Sequence, residues 1–210
     1  MPLRASTGCG TNGVVPAVWS APTLEGRAVR LEPLDTHHAE GLWAASRDPR
    51  TWQWLSIAQP VTRGAFDEYL TAAVDAAHAG AEIPLVTISH KLGVAGSTRF
   101  LALRPEHGSV EIGWTWLHPS AWGTGVNVEA KLLMLRHAFE VWGCRRVELK
   151  TDAQNERSRG AMEALGARFE GVHRKHMLVR DGENRDSAWY SIVDDEWPEV
   201  EGRLLSRLPD

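Results

Sequence analysis

The segment from Glu111 to Trp142 constrains the fold more than any other part of the chain. Its pattern predicts an apolar strand, a loop with two glycines and a long apolar helix, and the loop is Ser120-Ala121-Trp122-Gly123-Thr124-Gly125. No phosphate-binding lysine follows the second glycine, so an anion here would rest on main-chain N–H groups. The first turn of a helix leaves its donors unpaired and carries about +0.5 of an elementary charge. Two interpretations are open: a tight turn before a helix, or a site for a diphosphate.

Composition excludes several function classes. The chain has 210 residues, 43% hydrophobic and 24% charged, which predicts one domain with a single substantial core. A formal net charge of −4 argues against nonspecific binding to nucleic acid or to an anionic membrane. No apolar run approaches the roughly 20 residues that a membrane-spanning helix needs. Cys9 and Cys144 give no disulfide framework, which favours a cytoplasmic protein. The nine histidines include no His-Glu-x-x-His motif, so no metal is predicted.

Residues 1–22 are rich in Gly, Pro, Ser and Thr and are predicted to be a disordered leader, which leaves 23–210 as a single domain. Strand and helix periodicities alternate through that domain. The predicted strands are Arg27 to Leu34, Ile83 to His90, Gly96 to Leu103, Ser109 to Leu117, Arg146 to Asp152, Ala167 to Val179 and Asn184 to Val193. The predicted helices run from Asp35 or Thr36 to about Asp48, from Arg63 to Ala79, from Val126 to Trp142, from Asn155 to Leu165 and from Trp197 to Leu208.

The order of these elements predicts a mixed sheet. The three strands between residues 83 and 117 form an antiparallel meander, and the strands before and after the 126–142 helix form a parallel pair. Alternation in the third meander strand places Val110, Ile112, Trp114 and Trp116 on one face and Glu111, Gly113, Thr115 and Leu117 on the other. A carboxylate beside the gap left by a glycine is an arrangement suited to a cleft. The alternative is that Glu111 is exposed at the edge of the sheet, next to a glycine that relieves strand twist.

Four motifs together resemble a known family. They are Glu111-Ile-Gly-Trp114, Trp122-Gly-Thr-Gly125, Asn155-Glu-Arg-Ser158 and Leu165-Gly-Ala-Arg-Phe169. In this order they resemble the GNAT superfamily of acyl-CoA-dependent N-acetyltransferases, and within it the RimJ/RimL-type branch, whose founding members acetylate ribosomal proteins. The resemblance covers about residues 24–200. It implies an α/β (α+β) fold with flanking helices and a strongly curved, mostly antiparallel mixed sheet, whose central strands splay apart to admit pantetheine.

The resemblance also implies acetyl-CoA as acyl donor, with no metal. Main-chain groups of Leu117 and His118 would meet the pantetheine amides, and Asn155 and Ser158 would lie near the cofactor and its sulfur. The pyrophosphate would rest on the backbone of Trp122, Gly123, Thr124, Gly125, Val126 and Asn127. The family's Gln or Arg at the first loop position is Ser120 here, so no side-chain contact is assigned to it. A plain helix cap and a surface serine are the alternatives for Asn155 and Ser158.

Direct transfer of the acetyl group to a primary amine in a ternary complex is the predicted reaction. At pH 7, deprotonating an α-amino group costs about 1 kcal/mol, against roughly 4 to 5 for a lysine, so an N-terminal amine needs little help from a base. Glu111 is the predicted general base and His118 the second candidate. Many members of the family carry a tyrosine four positions after Ser158 that protonates the departing thiolate. That position is Met162 here, so Ser158 is the predicted donor, with water or another hydroxyl as alternatives.

The acceptor is the least defined part of the prediction. Trp52, Trp54 and Tyr190 fall in segments that border the acceptor side in this superfamily, and core packing is the alternative for each. A peptide N-terminus and a small-molecule amine are both open as acceptors, and a homodimer is open as an assembly. A non-catalytic acyl-CoA sensor or interaction module is the alternative function, and binding of another phosphorylated ligand by the glycine loop is a third. No nucleic-acid or membrane partner is predicted.

Overall fold

The structure is a computed structural model that describes residues 19–208. Its strands are β1 Leu24–Glu25, β2 Val29–Pro33, β3 Ile83–Ser89, β4 Gly93–Arg104, β5 Ser109–Leu117, β6 Arg146–Asp152, β7 Arg168–Val179 and β8 Glu183–Val193. Its α-helices are α1 Ala39–Ala45, α2 Arg63–His78, α3 Val126–Arg136, α4 Glu156–Leu165 and α5 Trp197–Leu205. A π-helical turn, His137–Val141, continues α3 directly.

Across residues 19–208 the eight strands form one mixed sheet in the order β1-β2-β3-β4-β5-β6-β8-β7. Neighbouring strands are antiparallel except β5 and β6, which run parallel and are connected through α3. The predicted meander and parallel pair are therefore confirmed. So is the predicted fold class, a mostly antiparallel mixed sheet with flanking helices.

Helices cover both faces of the sheet. Apolar residues of α3, α4 and α5 pack with the central strands into one buried cluster. Residues of α1 and α2 form a second cluster on the opposite face. α3 is apolar around most of its circumference because it lies in the interior, where even its polar positions Glu129 and Lys131 are buried.

Capping side chains set the helix boundaries. Thr62 Oγ1 accepts a hydrogen bond from the N–H of Ala65 at 3.2 Å at the start of α2. Asn155 Oδ1 accepts from the N–H of Ser158 at 3.1 Å at the start of α4. α4 ends at Gly166, whose φ of 104° lies in the left-handed region that favours glycine. Thr and Asn are typical at the start of a helix and Gly at its end. The predicted boundaries of these helices are therefore close to the observed ones.

Trp19 lies within the segment predicted to be a leader, but it packs on the domain. Its ring stacks on Trp142, with centroids 4.8 Å apart and an interplanar angle of 8°. Residues 1–18, including Cys9, lie outside the described residues, and for them the leader stays a prediction. In the described part of the chain, every helix is too short or too polar to cross a membrane.

Candidate active site

The central strands β5 and β6 pair at one end only. Their register joins Ser109 to Arg146, Val110 to Val147 and Glu111 to Glu148, and no pairing follows along these described strands. β6 continues to residue 152 against β8 instead. A cavity of about 420 Å³ fills the resulting gap, lined by both strands, the glycine loop, α3, α4, the α1–α2 connection and the β7–β8 hairpin. The splayed central strands that the family resemblance implies are therefore present.

A β-bulge in β5 corrects the predicted side-chain alternation. Ser97 of β4 pairs with Trp116, whereas Arg99 pairs with Gly113, so β5 contains one extra residue between these pairs. Trp114 lies in the bulge with φ of 49°, an uncommon conformation for a bulky residue. The prediction that Val110, Ile112, Trp114 and Trp116 share one face is wrong, because the bulge reverses the alternation after residue 113. Trp116 packs in the α1–α2 cluster, while Val110, Ile112 and Leu117 belong to the α3 cluster.

The glycine loop presents a run of unpaired main-chain donors. Gly123 has φ of 72°, and Gly125, the N-cap of α3, has φ of 88°, so both need the conformational freedom of glycine. The N–H groups of residues 123–128 donate to no backbone carbonyl in the part of the chain that the structure describes. Several adjacent donors at the positive end of a helix form a site that favours an anion without a basic side chain.

Three further side chains at this end of the cavity fit a polar, phosphorylated ligand. The buried Oδ1 atom of Asn127 has no hydrogen-bond partner among the described residues, and Asn127 lines the cavity. A buried acceptor without a partner is costly, so a ligand N–H or O–H at this position would satisfy it. The guanidinium of Arg157 lies 3.9 Å from the ring centroid of Trp122, and that of Arg50 lies 5.8 Å from it.

On the opposite face of the gap, Glu111 forms a buried ion pair. Its side chain is 2% exposed, and Oε2 accepts a hydrogen bond from Lys150 Nζ at 2.8 Å. Burial raises the pKa of Glu111 above its ordinary value, and the nearby ammonium of Lys150 opposes that rise. Lys150 also lies over the ring of Trp189, 5.0 Å from its centroid. Because Glu111 is buried, the edge-exposed alternative for it is wrong. A carboxylate with a raised pKa beside a cavity is a suitable proton acceptor.

The comparison with known proteins agrees with this geometry. A family model described as "Acetyltransferase (GNAT) domain" matches residues 28–168. The chain belongs to the GNAT acetyltransferase family. Acetyl transfer from acetyl-CoA is the reaction of that family, and the recognition made from the four motifs is confirmed.

Individual relatives point the same way. A GCN5-related N-acetyltransferase from Brucella melitensis superposes with a TM-score of 0.85 at 34% identity, covering 92% of this chain and 88% of that one. RimJ from Mycobacterium smegmatis, solved with CoA-disulfide, has a TM-score of 0.73 at 21% identity over 85% of this chain and 88% of its own, and this likeness concerns the fold. A protein provisionally named ribosomal N-acetyltransferase YdaF from Bacillus subtilis is 32% identical over 87 residues, which are 41% of this chain and 46% of that protein. The match therefore spans about half of this relative's length.

The GNAT cavity brings together most of the predicted cofactor residues. Those that line it are Leu117, Trp122, Gly123, Asn127, Asn155 and Ser158. Gly125 contributes to the run of free N–H groups from the loop itself. Val126 is instead 2% exposed in the core, and Thr124 Oγ1 donates to the carbonyl of Ala121 at 2.7 Å, so their side chains support the loop from behind. Their contacts to a cofactor stay predictions.

The predicted catalytic residues separate into two groups. Glu111 and Ser158 line the cavity, and so does Met162 at the tyrosine position. His118 is not among the lining residues. Its Nδ1 atom accepts a hydrogen bond from the N–H of Ser120 at 3.2 Å and caps the turn before the glycine loop. This placement favours Glu111 over His118 as the base.

The predicted acceptor residues also separate. Trp54 lines the cavity. Trp52 is buried in the α1–α2 cluster, where its Nε1 donates to the carbonyl of Ser46 at 2.7 Å. Tyr190 is fully buried on the α4 side of the sheet, and its hydroxyl donates to Glu163 Oε1 at 3.0 Å. Neither lines the cavity, so for these two residues the structure agrees with the core-packing alternative.

Lys131 is a cavity residue that the sequence interpretation missed. It lies on α3, is 6% exposed, and donates through Nζ to Thr115 Oγ1 at 2.7 Å and to Thr98 Oγ1 at 3.3 Å. No carboxylate pairs with it among the described residues. Burial lowers the pKa of Lys131 to about 7. A lysine within an apolar helix stretch was the only signal in the sequence, and periodicity alone does not distinguish a snorkelling lysine from a buried one.

A group of metal-binding residue types lies outside the cavity. Glu32, at the end of β2, and His37 and His38, in the turn before α1, place one ligand atom each within 4.8 Å of one another. His38 already bonds through Nε2 to Glu32 Oε1 at 2.9 Å and through Nδ1 to the N–H of Asp35 at 3.1 Å. These contacts hold the turn, and they give the group a structural role.

Proposed function

We propose that this protein is an acetyl-CoA-dependent N-acetyltransferase that moves an acetyl group onto a primary amine by direct attack in a ternary complex. The observation that carries this proposal is the cavity between β5 and β6, which connects the two faces of the sheet. The free N–H groups of the glycine loop lie at one end, and the buried Glu111–Lys150 pair lies on the other face. Donor and acceptor can then approach from opposite sides.

The donor half is formed mainly by backbone. In this proposal the N–H groups of residues 123–128 hold the pyrophosphate, and Asn127 and Asn155 bind further along the cofactor. Beyond the bulge, the backbone of β5 has no strand partner on the β6 side, although the carbonyl of Leu117 accepts a hydrogen bond from Trp122 Nε1 at 3.0 Å. The remaining main-chain groups there would pair with pantetheine amides. Acetyl-CoA would supply the thioester carbonyl, and a main-chain N–H beside the bulge would stabilise negative charge on its oxygen.

On the acceptor half, Glu111 would accept the proton of the amine, directly or through one water. Burial raises the pKa of Glu111, which brings this carboxylate closer to the pKa of the amine and favours proton transfer. Lys150 holds the carboxylate in place through the 2.8 Å hydrogen bond. An α-amino group needs only about 1 kcal/mol for deprotonation at pH 7, which suits a peptide N-terminus such as that of a ribosomal protein, or a small amine of low pKa.

Protonation of the departing thiolate would fall to Ser158. Ser158 lines the cavity, and so does Met162, which occupies the position of the family tyrosine. The thioether side chain of methionine has no acidic proton to donate to the thiolate. A non-catalytic acyl-CoA-binding module is the second candidate function, and Met162 is the observation that favours it. The two candidates share the donor half and differ in turnover.

A thiol-release assay distinguishes them. The protein is incubated with acetyl-CoA and a panel of peptides and small amines, and free CoA is measured together with product mass. Amine-dependent release supports the enzyme. Binding of acetyl-CoA by calorimetry without release for any amine supports the non-catalytic module.

A thermal-shift comparison of CoA, ATP and NAD tests the donor half by itself. Stabilisation by CoA is expected, because only CoA carries the pantetheine arm that fits the gap. Stabilisation by ATP without stabilisation by CoA would contradict the assignment of the cavity to an acyl carrier.

A further inference from the structure

A buried guanidinium without a hydrogen-bond partner at Nε faces the acceptor half of the cavity. Arg185 lies on β8 and lines the cavity together with Lys150 and Met177. Its side chain is 9% exposed, and its Nε atom has no hydrogen-bond partner among the described residues. A buried cation with an unsatisfied donor is costly, and such a group in a cavity wall indicates a ligand that completes its bonding.

Asp152 forms a long ion pair with Arg185, and Glu111 is engaged by Lys150, so neither carboxylate completes the hydrogen bonding of Arg185 Nε. Asp152 Oδ2 lies 3.9 Å from Arg185 Nε, beyond hydrogen-bond distance, and Asp152 Oδ1 accepts from the N–H of Gln154 at 2.9 Å. Glu111 is bonded to Lys150 at 2.8 Å. Burial lowers the pKa of Arg185, and the attraction of the Asp152 carboxylate only partly opposes this. The nearby carboxylates therefore compensate the buried charge of Arg185 incompletely.

A second guanidinium near Arg185 has a structural task. Arg180, in the turn between β7 and β8, donates through Nη1 to the carbonyl of Leu55 at 2.9 Å and to that of Gln53. Arg180 therefore fastens the hairpin to the α1–α2 connection. In the described structure this leaves Arg185 as the cavity guanidinium on the acceptor side whose Nε remains available.

We propose that Arg185 binds a carboxylate of the acceptor, so that the amine acetylated by this enzyme carries a carboxylate a few bonds from its nitrogen. The inference rests on the proposed acetyl transfer. A guanidinium presents a planar fork that matches a carboxylate with two parallel hydrogen bonds. Glu111 on the same face of the sheet attracts the amine, so one acceptor carrying both charges is complementary to both residues. The carboxylate belongs to an amino-acid-like small molecule or to an acidic side chain beside a peptide N-terminus.

The test uses acceptors that differ only in that carboxylate. One arm compares 4-aminobutyrate with 4-aminobutanamide, and the other compares peptides that begin Ala-Glu with peptides that begin Ala-Gln. In at least one arm, wild-type kcat/KM is expected to be roughly 10- to 100-fold higher for the acid, the range expected for a hydrogen bond to a charged group. The arm that shows the preference identifies the source of the carboxylate.

Two substitutions assign the preference to this residue. Arg185→Gln is expected to remove the preference by raising KM for the acid, with little change for the amide and for CoA affinity. Arg185→Lys keeps the charge without the fork and is expected to retain part of the preference. Arg174→Gln, an exposed position on the same hairpin, makes the same charge change outside the cavity and is the matched control.

Equal wild-type rates for acid and amide in both arms would overturn the inference and leave acetyl transfer intact. A preference that persists in Arg185→Gln would also overturn it. If no amine releases thiol, the proposed function fails, and calorimetric binding of the same acid and amide pairs to the CoA complex then tests Arg185 directly. If Arg185→Gln does not fold, the wild-type comparison and Arg185→Lys still decide the matter.

Discussion

At residue scale, Gly123 allows a test of main-chain anion binding, because its matched control lies elsewhere in the fold. Gly123 has φ of 72° and Gly143 has φ of 66°, and a Cβ would meet nothing within 4 Å at either position. Alanine at either site is expected to cost about 1 to 2 kcal/mol of stability from the left-handed backbone. Only Gly123→Ala is expected to weaken CoA binding, by roughly tenfold or more, because its methyl group and any change in φ disturb the N–H groups.

Calorimetry with CoA and denaturant unfolding measure the two effects of each glycine substitution separately. Equal CoA affinity for the wild type and both variants would remove the loop from the site.

Glu111→Gln tests the proposed base. Loss of turnover of roughly 10² to 10⁴ is expected, as is typical for removal of a general base. The loss should be larger at pH 6 than at pH 9, because more of the amine is already neutral at high pH. Glu106→Gln is the control, since Glu106 is exposed and does not line the cavity. A loss of kcat that does not vary with pH would point to a structural role for Glu111.

Lys131→Met tests how burial affects the stability contribution of an ammonium that has hydroxyl partners but pairs with no carboxylate among the described residues. The pKa of Lys131 is about 7 in the folded chain against an ordinary 10.5, so between these values the unfolded chain binds one more proton. Unfolding free energy should therefore rise with pH in this window, by about 1.4 kcal/mol per pH unit from this group. The stability advantage of Lys131→Met over the wild type should be largest below pH 7 and should shrink toward pH 10.

Denaturant melts across that pH range measure the Lys131 effect, with the exposed Lys91→Met as control. A constant difference between Lys131→Met and the wild type at all pH values would contradict the assignment.

The sequence supplied the residues of the site more readily than their orientation. The loop glycines and Glu111 follow from the strand, loop and helix pattern, whereas Ser158 was implied only by the family resemblance. All of them except Gly125 line the cavity, and their roles stay predictions. The prediction for Tyr190 rests on a segment that borders the acceptor side in the superfamily, and neither that segment nor strand alternation says which face of β8 meets the cavity. The side-chain contacts of Arg185 depend on three strands and a loop meeting in space, which no local pattern records.

At element scale, α4 is started by a residue with two predicted tasks. Asn155 caps the helix through Ser158 and also lines the cavity, while Thr62 caps α2 far from it. Asn155→Ala and Thr62→Ala should each lose about 1 kcal/mol of stability. Only Asn155→Ala is expected to raise the Kd for CoA. If both variants bind CoA like the wild type, Asn155 is a cap alone.

The elements themselves were well predicted, for physical reasons that can be named. Caps and terminal glycines gave the ends of α2 and α4, and β5 and β6 match the predicted strands from first residue to last. The bulge at Trp114 was missed because the alternating residue pattern of 110–117 continues through it without interruption. The extra residue shows only in the backbone, where Trp114 has a positive φ. The π-helical turn after Arg136 was missed because its residues continue the apolar pattern of the helix.

At the scale of the whole molecule, the sheet consists of two parts held together at the centre by three residue pairs between β5 and β6. A ligand lying in the gap would supply hydrogen bonds to both parts. CoA at 100 times its Kd should stabilise the fold by about 2.7 kcal/mol. In hydrogen exchange, CoA is expected to protect residues 112–117 and 123–128, whereas ATP, which lacks pantetheine, should protect only the second segment. Equal protection by the two ligands would contradict a pantetheine site between the strands.

The row of free amides at the start of α3 bears on how this protein can evolve. Peptide nitrogens are present whatever side chain a codon specifies, so most point mutations in residues 123–128 leave the donors in place. The left-handed positions Gly123 and Gly125 are the sensitive ones. The proposed acceptor contact of Arg185 on the β7–β8 hairpin depends on its side chain, so there a single nucleotide change would be enough to remove it. If both proposed sites are right, related enzymes can change their acceptor by substitution in the hairpin while the main-chain site at the start of α3 is retained.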